Sequence, residues 1–362
     1  MKIYAKETLG WNTFFQKQKE QFSEANLIDA RVSAENKNNY ILLVPQIGEI
    51  IAECTGKLFF SAQNPTELPK TGDWVQIQLF PDENKGLIHR IYPRKKTLSR
   101  KVAGNNTEAQ IMATNIDKVF IVQGLDHNFN LNRLIRSVVL VEEASIQPII
   151  VLNKADLIDQ NDAGKKLKIV KQQLKNVPIV LVSALQRTGI ENLMHYIKKG
   201  ESIVFLGSSG AGKSTLVNAL LGSDIVLTGA VRKQDDRGKH TTTRREIFIL
   251  PQGGILVDTP GTRELQLISA AQGLESTFTN ISDFAKECRY KDCTHTVETG
   301  CAVLEALETG DVSETQYQNF MKLQREDEYM KTRTDQKAFL EKKAKDKKLH
   351  KHIRNINKRR KF

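Results

Sequence analysis

"FLGSSGAGKSTL", Phe205 to Leu216, holds the pattern G-x-x-x-x-G-K-[ST] between an apolar strand, "SIVF", and an apolar helical run, "LVNALL". Glycines at 207, 210 and 212 let the backbone turn tightly, so that successive N–H groups point at phosphate oxygens. Lys213 then reaches the β and γ phosphates, the Ser214 hydroxyl ligates Mg2+, and the helix N-terminus adds its dipole. The expected cradle is Gly207, Ser208, Ser209, Gly210, Ala211, Gly212, Lys213, Ser214 and Thr215. A strand that opens a helix through such a loop predicts an α/β nucleotide-binding domain around it.

Upstream, "VLNKADL" at 151–157 supplies Asn153, Lys154, Ala155 and Asp156 after the strand "PIIVL". An Asp carboxylate accepts two hydrogen bonds from the ring N–H and exocyclic amine of guanine, a pair adenine does not offer, so Asp156 selects GTP over ATP. Lys154 can lie along the base plane, and Asn153 can tie this loop to the phosphate loop. "SAL", Ser183 to Leu185, ends the next strand and can present the Ala184 N–H to the guanine oxygen. Downstream, "DTPG" at 258–261 closes the strand "GGILV", where Asp258 would bridge to Mg2+ and Gly261 would sense the γ phosphate. Taken alone, that tetrapeptide is also a common turn.

Between them lies "GKHTTTRR", from Gly238. Thr242 or Thr243 can close over Mg2+ and the γ phosphate as a switch, and the sequence does not choose between the two. Ras-like enzymes place a Gln just after the DxxG motif to orient water; here that position is Thr262, whose side chain is too short for the same geometry. Slow intrinsic hydrolysis, accelerated by a partner, is expected. His240 either positions water once the loop folds over the nucleotide, or is an exposed loop residue or RNA contact.

The motifs run in an unusual order, base recognition before phosphate loop. The apolar strands "KVFIVQGL", "QPIIVLN", "VPIVLVSAL" and "SIVFL" alternate with helical segments, as in a mostly parallel sheet covered on both faces. Such a sheet tolerates a circular permutation, because joining old termini and cutting elsewhere keeps the same elements adjacent. The chain then leaves the G domain just after the switch region, so a domain attached there would feel the nucleotide state.

Short apolar runs from 39 to about 100, "YILLVP", "GEIIAEC", "KLFF", "DWVQIQLF" and "GLIHRIY", predict strands of a small barrel, preferably of the five-stranded OB type, with an SH3-like barrel as the other option. Trp11, Phe14, Phe15 and Phe22 suit an amphipathic helix packing on it. Near the C-terminus, Cys288, Cys293, His295 and Cys301 form C-x4-C-x-H-x5-C, three thiolates and an imidazole suited to one tetrahedral structural zinc. Cys54, alone in a barrel strand, reads as a small buried hydrophobe.

The chain has 362 residues, 40% hydrophobic and 27% charged, which excludes fibrous and wholly disordered classes and predicts two or three domains. No apolar run approaches the roughly 20 residues that span a bilayer, and the N-terminus is too polar for a secretory signal, so a cytoplasmic protein without membrane contact is expected. The net charge of +12 sits almost entirely in the tail: residues 331–362 carry 14 Lys/Arg against 3 Asp/Glu, the rest 40 against 39. That tail is either a solubilising segment or a phosphate-binding arm that folds on RNA. With no heptad seam, a monomer is expected.

From about Ile47 to about Leu323 the sequence resembles the circularly permuted ribosome-small-subunit-dependent GTPase A proteins of bacteria. The segments are "GDWV", "PRKKTLSRK", "NIDKVFIV", "NLNRLIR", "LNKADL", "GSSGAGKSTL", "GKHTTTR", "DTPGTRE" and "CRYKDCTHTVETGCAV", in this order. The resemblance implies an N-terminal OB fold, a permuted G domain and a C-terminal zinc domain, docking on the small ribosomal subunit late in its assembly, hydrolysing GTP there and leaving. The barrel and zinc domain then become rRNA-contacting modules. The expected division is 1–38 extension, 39–108 barrel, 109–272 permuted G domain, 273–330 mostly helical zinc domain and 331–362 basic tail. The other functional class to weigh is a nucleotide-gated rRNA-binding module that has no need of rapid hydrolysis.

Overall fold

A computed structural model describes residues 2–21, 26–101, 109–223, 246–258 and 271–334. The chain divides into two compact units, Met1–Arg100 with Gln110–Leu265, and Lys101–Ala109 with Gln266–Phe362.

The first unit begins with a closed barrel of β1 (Ile28–Glu35), β2 (Tyr40–Val44), β3 (Gly48–Cys54), β4 (Trp74–Phe80) and β5 (Lys85–Ile91). Its strand order is β1-β2-β3-β5-β4, closed by an antiparallel β1–β4 ladder, with β3 and β5 parallel. Five strands closed in this way form an OB-type barrel. Strict alternation in β3 sends Ile50 and Ala52 inward to meet Val32, Leu42, Val75, Ile77 and Ile88.

Two features of the barrel depart from the sequence pattern. β1 falls inside the 1–38 segment, because its apolar Ala30, Val32 and Ala34 alternate with Asp29, Arg31 and Ser33, which are buried as well. Distant partners cover the two charged groups: Asp29 accepts from Lys6, Lys19 and Tyr92, and Arg31 donates to Leu9 O, Gly72 O and Ser202 Oγ. "KLFF" is no strand; it lies in helix α2 (Gly56–Ser61), which starts where Thr55 Oγ1 accepts from Leu58 N–H. Phe59 and Phe60 are 56% and 84% exposed there, with ring centroids 5.6 Å apart.

The N-terminal helix α1 is Thr13–Glu20, capped by Asn12. Trp11 and Phe15 are buried on the barrel, Trp11 at 4.9 Å from Trp74 and 5.3 Å from Tyr92 between ring centroids. Phe22 lies outside the described residues.

After a two-stranded ladder of β6 (Thr97–Lys101) and β7 (Ala109–Thr114) comes the α/β domain. Its sheet contains β8 (Lys118–Gly124), β9 (Gln147–Asn153), β10 (Ile179–Leu181), β11 (Ser202–Leu206), β12 (Glu246–Ile249) and β13 (Ile255–Asp258), ordered β10-β9-β8-β11-β13-β12. All neighbours are parallel except β12 with β13. β8 and β11 are buried along their whole length, as the continuous apolar runs require of a sheet covered on both faces. Each fully buried Val, Ile or Leu there contributes roughly 1.5–3 kcal/mol. Among the described residues, helices α3 (Leu131–Glu143), α4 (Gln160–Gln173), α5 (Ile190–Met194) and α6 (Lys213–Leu221) belong to this domain. Numbered from β11, the strand that enters the phosphate loop, the same sheet reads 6-5-4-1-3-2. Successive strands therefore run one way from β8 to β10 and the other way from β11, which puts the topological switch point between β8 and β11.

In the second unit, α7 (Ala271–Thr277), α8 (Thr279–Lys286), α9 (Ala302–Thr309) and α10 (Glu314–Thr334) bury Phe278, Ile281, Val303, Ala306 and Phe320. Phe278 and Phe320 meet edge to face at 5.6 Å. Among the described residues no helix is long and apolar enough to cross a membrane.

Candidate nucleotide site and metal centre

The phosphate loop leaves β11 at the switch point and folds back towards β8. A Cβ on Gly207 would stand 2.3 Å from Val122 O, so only glycine lets the loop pass that strand. Gly210 and Gly212 have φ of +76° and +92°, and Gly212 caps α6 in the left-handed region. Lys213 Nζ donates to Gly207 O at 2.7 Å and Ser208 O at 2.9 Å, curling back over the loop. Ser208 Oγ is buried without a hydrogen-bond partner, an acceptor-donor group left over inside the cradle. A loop of backbone donors with a lysine and an orphaned hydroxyl suits an oxyanion-rich ligand such as a nucleotide phosphate chain.

Asn153, only 2% exposed, joins three loops. Its Nδ2 donates to Ala211 O in the phosphate loop at 2.9 Å, and its Oδ1 accepts the Ala184 N–H of "SAL" at 3.0 Å. The first of these is the tie expected from the sequence. The second engages an N–H that the sequence reading aims at guanine. Gly212 is part of the same junction, since a Cβ there would stand 2.3 Å from Asn153 Nδ2. Asp156 lies in the short turn Ala155–Leu157, where Ser183 Oγ donates to its Oδ1 at 2.5 Å. Lys154 takes a left-handed backbone, φ +66°, and its ammonium pairs with Asp126 at 2.7 Å. Ser183 is buried, and Leu157 and Leu185, in the loops that carry Asp156 and Ser183, are 59% and 77% exposed.

Asp258 ends β13, the parallel neighbour of β11, so it emerges beside the phosphate loop together with Ser214 in the first turn of α6. His240, Thr242, Thr243, Gly261 and Thr262 lie outside the described residues. Sequence reasoning passed over Asp126. The available signal was its place two residues beyond β8, a strand that borders the switch point.

In the second unit, Cys288, Cys293, His295 and Cys301 gather with their ligand atoms within 4.8 Å of one another. His295 Nδ1 is 3.5 Å from both Cys288 Sγ and Cys301 Sγ, and the two sulfurs are 3.9 Å apart. A tetrahedral ion with about 2.3 Å bonds to sulfur and 2.05 Å to nitrogen has edges of about 3.8 Å and 3.5 Å, so the cluster fits such an ion. Burial lowers the pKa of His295, favouring the neutral imidazole that can ligate. Tyr317 Oη holds the ligand turn by donating to His295 O at 2.7 Å, and Glu298 accepts from Thr294 and Thr296 N–H around it.

The phosphate loop, the guanine-type loop and the 6-5-4-1-3-2 sheet define a circularly permuted GTPase domain behind an OB-type barrel. The RsgA GTPase family model matches residues 91–268. An ABC transporter model also matches 190–355, a span that shares the phosphate loop but excludes Asn153 to Asp156. A protein of Opitutus terrae named small ribosomal subunit biogenesis GTPase RsgA is 40% identical over 337 residues, 91% of each chain. YjeQ from Thermotoga maritima superposes with a TM-score of 0.63 at 28% identity, covering 83% of this chain and 98% of its own. YloQ, described as a circularly permuted GTPase, shares the fold with a TM-score of 0.62 at 21% identity, covering 87% and 98%. The chain belongs to the RsgA GTPase family.

Proposed function

We infer that this protein is a GTP hydrolase of small-ribosomal-subunit biogenesis, which binds that subunit in its GTP state and leaves it after hydrolysis. The observation that carries the nucleotide part is Asn153, whose side chain bonds the phosphate loop and the "SAL" loop from the base-recognition loop. Three loops distant in sequence converge at the strand ends where open α/β sheets bind ligands. The subunit part is supported by family membership.

In this reading Asp156 takes the guanine edge, Lys154 lines its face, and the backbone of 207–215 with Lys213 holds the phosphates. Ser214 and Asp258 would hold Mg2+, which neutralises charge on the β and γ oxygens. Thr242 or Thr243, with Gly261 and His240, would form the switch and order the attacking water. The four-residue cluster would hold one structural Zn2+ and stiffen the second unit for rRNA contact; the barrel and basic tail supply further rRNA-facing surface. The protein works as a monomer in the cytoplasm, where its partner is assembled.

Sedimentation with purified small subunits tests the cycle. Co-sedimentation with a non-hydrolysable GTP analogue and release with GDP are expected. Equal retention in both states would contradict hydrolysis-driven release.

A further inference from the structure

The Lys154 ammonium is held by a carboxylate that the base-reading motif does not contain. Asp126 Oδ2 lies 2.7 Å from Lys154 Nζ, with side-chain exposures of 10% and 26%. The loop carrying Asp126 is built in place. Leu125 N–H donates to Asn153 O at 2.9 Å, Phe129 N–H to Asp126 O at 3.0 Å, and Gln123 Nε2 to Asn128 O at 2.9 Å. Asn128 N–H donates to Asp126 Oδ1, leaving Oδ2 for the lysine. From α4, Lys166 donates to Leu125 O at 2.5 Å and sits 5.4 Å from the Phe129 ring.

Gly124 explains why both side chains can lie flush on the strand end. A Cβ there would come within 2.8 Å of Asp126 Oδ1 and 3.5 Å of Lys154 Cδ. Burial pushes the Asp126 pKa up, but the Lys154 hydrogen bond and the Asn128 N–H outweigh it and keep the carboxyl below its ordinary value. The Asp126 carboxyl is therefore ionised at neutral pH.

A lysine stem is flexible, and ordering it on a base costs rotamer entropy when the ligand binds. An ion pair formed beforehand removes part of that cost. We propose that Asp126 is a positioning residue of the guanine site: it anchors the Lys154 ammonium so that the methylene stem forms a ready wall for the guanine ring, and thereby sets the affinity for guanosine nucleotides. This rests on the guanine reading of Asn153 to Asp156.

Calorimetric titration of GDP into the full chain tests it, with thermal unfolding recorded for every variant. Asp126→Ala is expected to bind GDP about tenfold more weakly, which is about 1.4 kcal/mol. Asp126→Glu should recover most of the loss, because it restores the anion. Asp126→Ala combined with Lys154→Ala should be no weaker than Lys154→Ala alone, since the anchor acts only through that lysine. A loss that simply adds to that of Lys154→Ala, an unchanged affinity, or tighter binding by Asp126→Ala would each overturn the proposal, the last by making Asp126 a latch that withholds the lysine. Asp156→Asn separates the two readings. If it leaves GDP affinity intact, the guanine reading itself fails; if it abolishes affinity while Asp126→Ala is silent, only the positioning role fails.

Discussion

Asn153 Nδ2 donates to Ala211 O at 2.9 Å, across 58 residues of sequence. The bond places the loop of Asn153 to Asp156 against the phosphate loop, and Ala184 N–H completes the junction by donating to Asn153 Oδ1 at 3.0 Å. In an unpermuted order the phosphate loop would precede this loop; the contact depends on strand adjacency and is indifferent to where the chain begins.

Removing that amide should be costly on two counts. Asn153→Ala leaves Ala211 O and Ala184 N–H without their partner in a site from which water is largely excluded. We expect a loss of about 1–3 kcal/mol in stability and at least tenfold in GDP affinity. Thermal unfolding and calorimetry measure the two losses separately.

Gly212 tests the same junction from the other side. Its φ of +92° is unfavourable for an L side chain, and a Cβ would press on Asn153 Nδ2 at 2.3 Å. Gly212→Ala should destabilise by about 1–3 kcal/mol and weaken GDP binding, whereas Gly164→Ala, in α4 with open space around it, should be neutral or slightly stabilising. Chemical denaturation of the two variants side by side provides the comparison.

Arg31 joins barrel to G domain. It is 1% exposed and donates from β1 to Ser202 Oγ at 2.8 Å, at the start of the strand that leads into the phosphate loop. Arg31→Ala strands Leu9 O and Ser202 Oγ, while Gly72 O keeps its bond from Asn115 Nδ2, and should cost about 3 kcal/mol; Arg31→Lys should recover little, having no planar fork to reach all of its partners. The check is a melting curve for each variant, with the barrel followed by the fluorescence of Trp11 and Trp74.

The acid limb of stability should depend on Asp29. Burial raises its pKa, but hydrogen bonds from Lys19, Lys6 and Tyr92 outweigh that and hold it below the ordinary value. A carboxyl depressed in the folded state gives stability that is complete above its unfolded pKa of about 3.9 and is lost as pH falls through the folded value. Asp29→Asn should therefore be less stable at pH 7, by about 2 kcal/mol, and the gap should narrow as pH falls below about 4. Denaturant midpoints between pH 2 and 7 give the profile.

Chelation should act on the second unit. Loss of a structural ion from Cys288, Cys293, His295 and Cys301 removes a large part of a small helical unit's folding energy. A strong zinc chelator, or Cys301→Ser, should reduce helical circular dichroism and release one equivalent of metal from protein purified without added chelator. GDP affinity should stay within twofold.

The candidate site residues stood out in sequence because each motif is local: glycines at fixed offsets, Asn-Lys-x-Asp after an apolar strand, four soft donor groups within one short segment. Their order then implied the permutation that the sheet displays. β1 was not legible. Its alternate positions are Asp29, Arg31 and Ser33, and the groups that bury them come from the N-terminal segment, the barrel and Ser202, none adjacent in sequence. "KLFF" misled for the opposite reason, since two aromatics in a row favour a strand by composition while Thr55 caps a helical turn and leaves both rings outside. Asp126 carries no motif; only the fold brings it to Lys154.

GTP turnover measured with and without purified small ribosomal subunits tests the central claim most directly. Slow turnover by the protein alone is expected, since Thr262 replaces the usual water-orienting Gln, with a marked acceleration by small subunits that is lost in Asp156→Asn. Turnover unchanged by small subunits, or accelerated by large subunits alone, would contradict it.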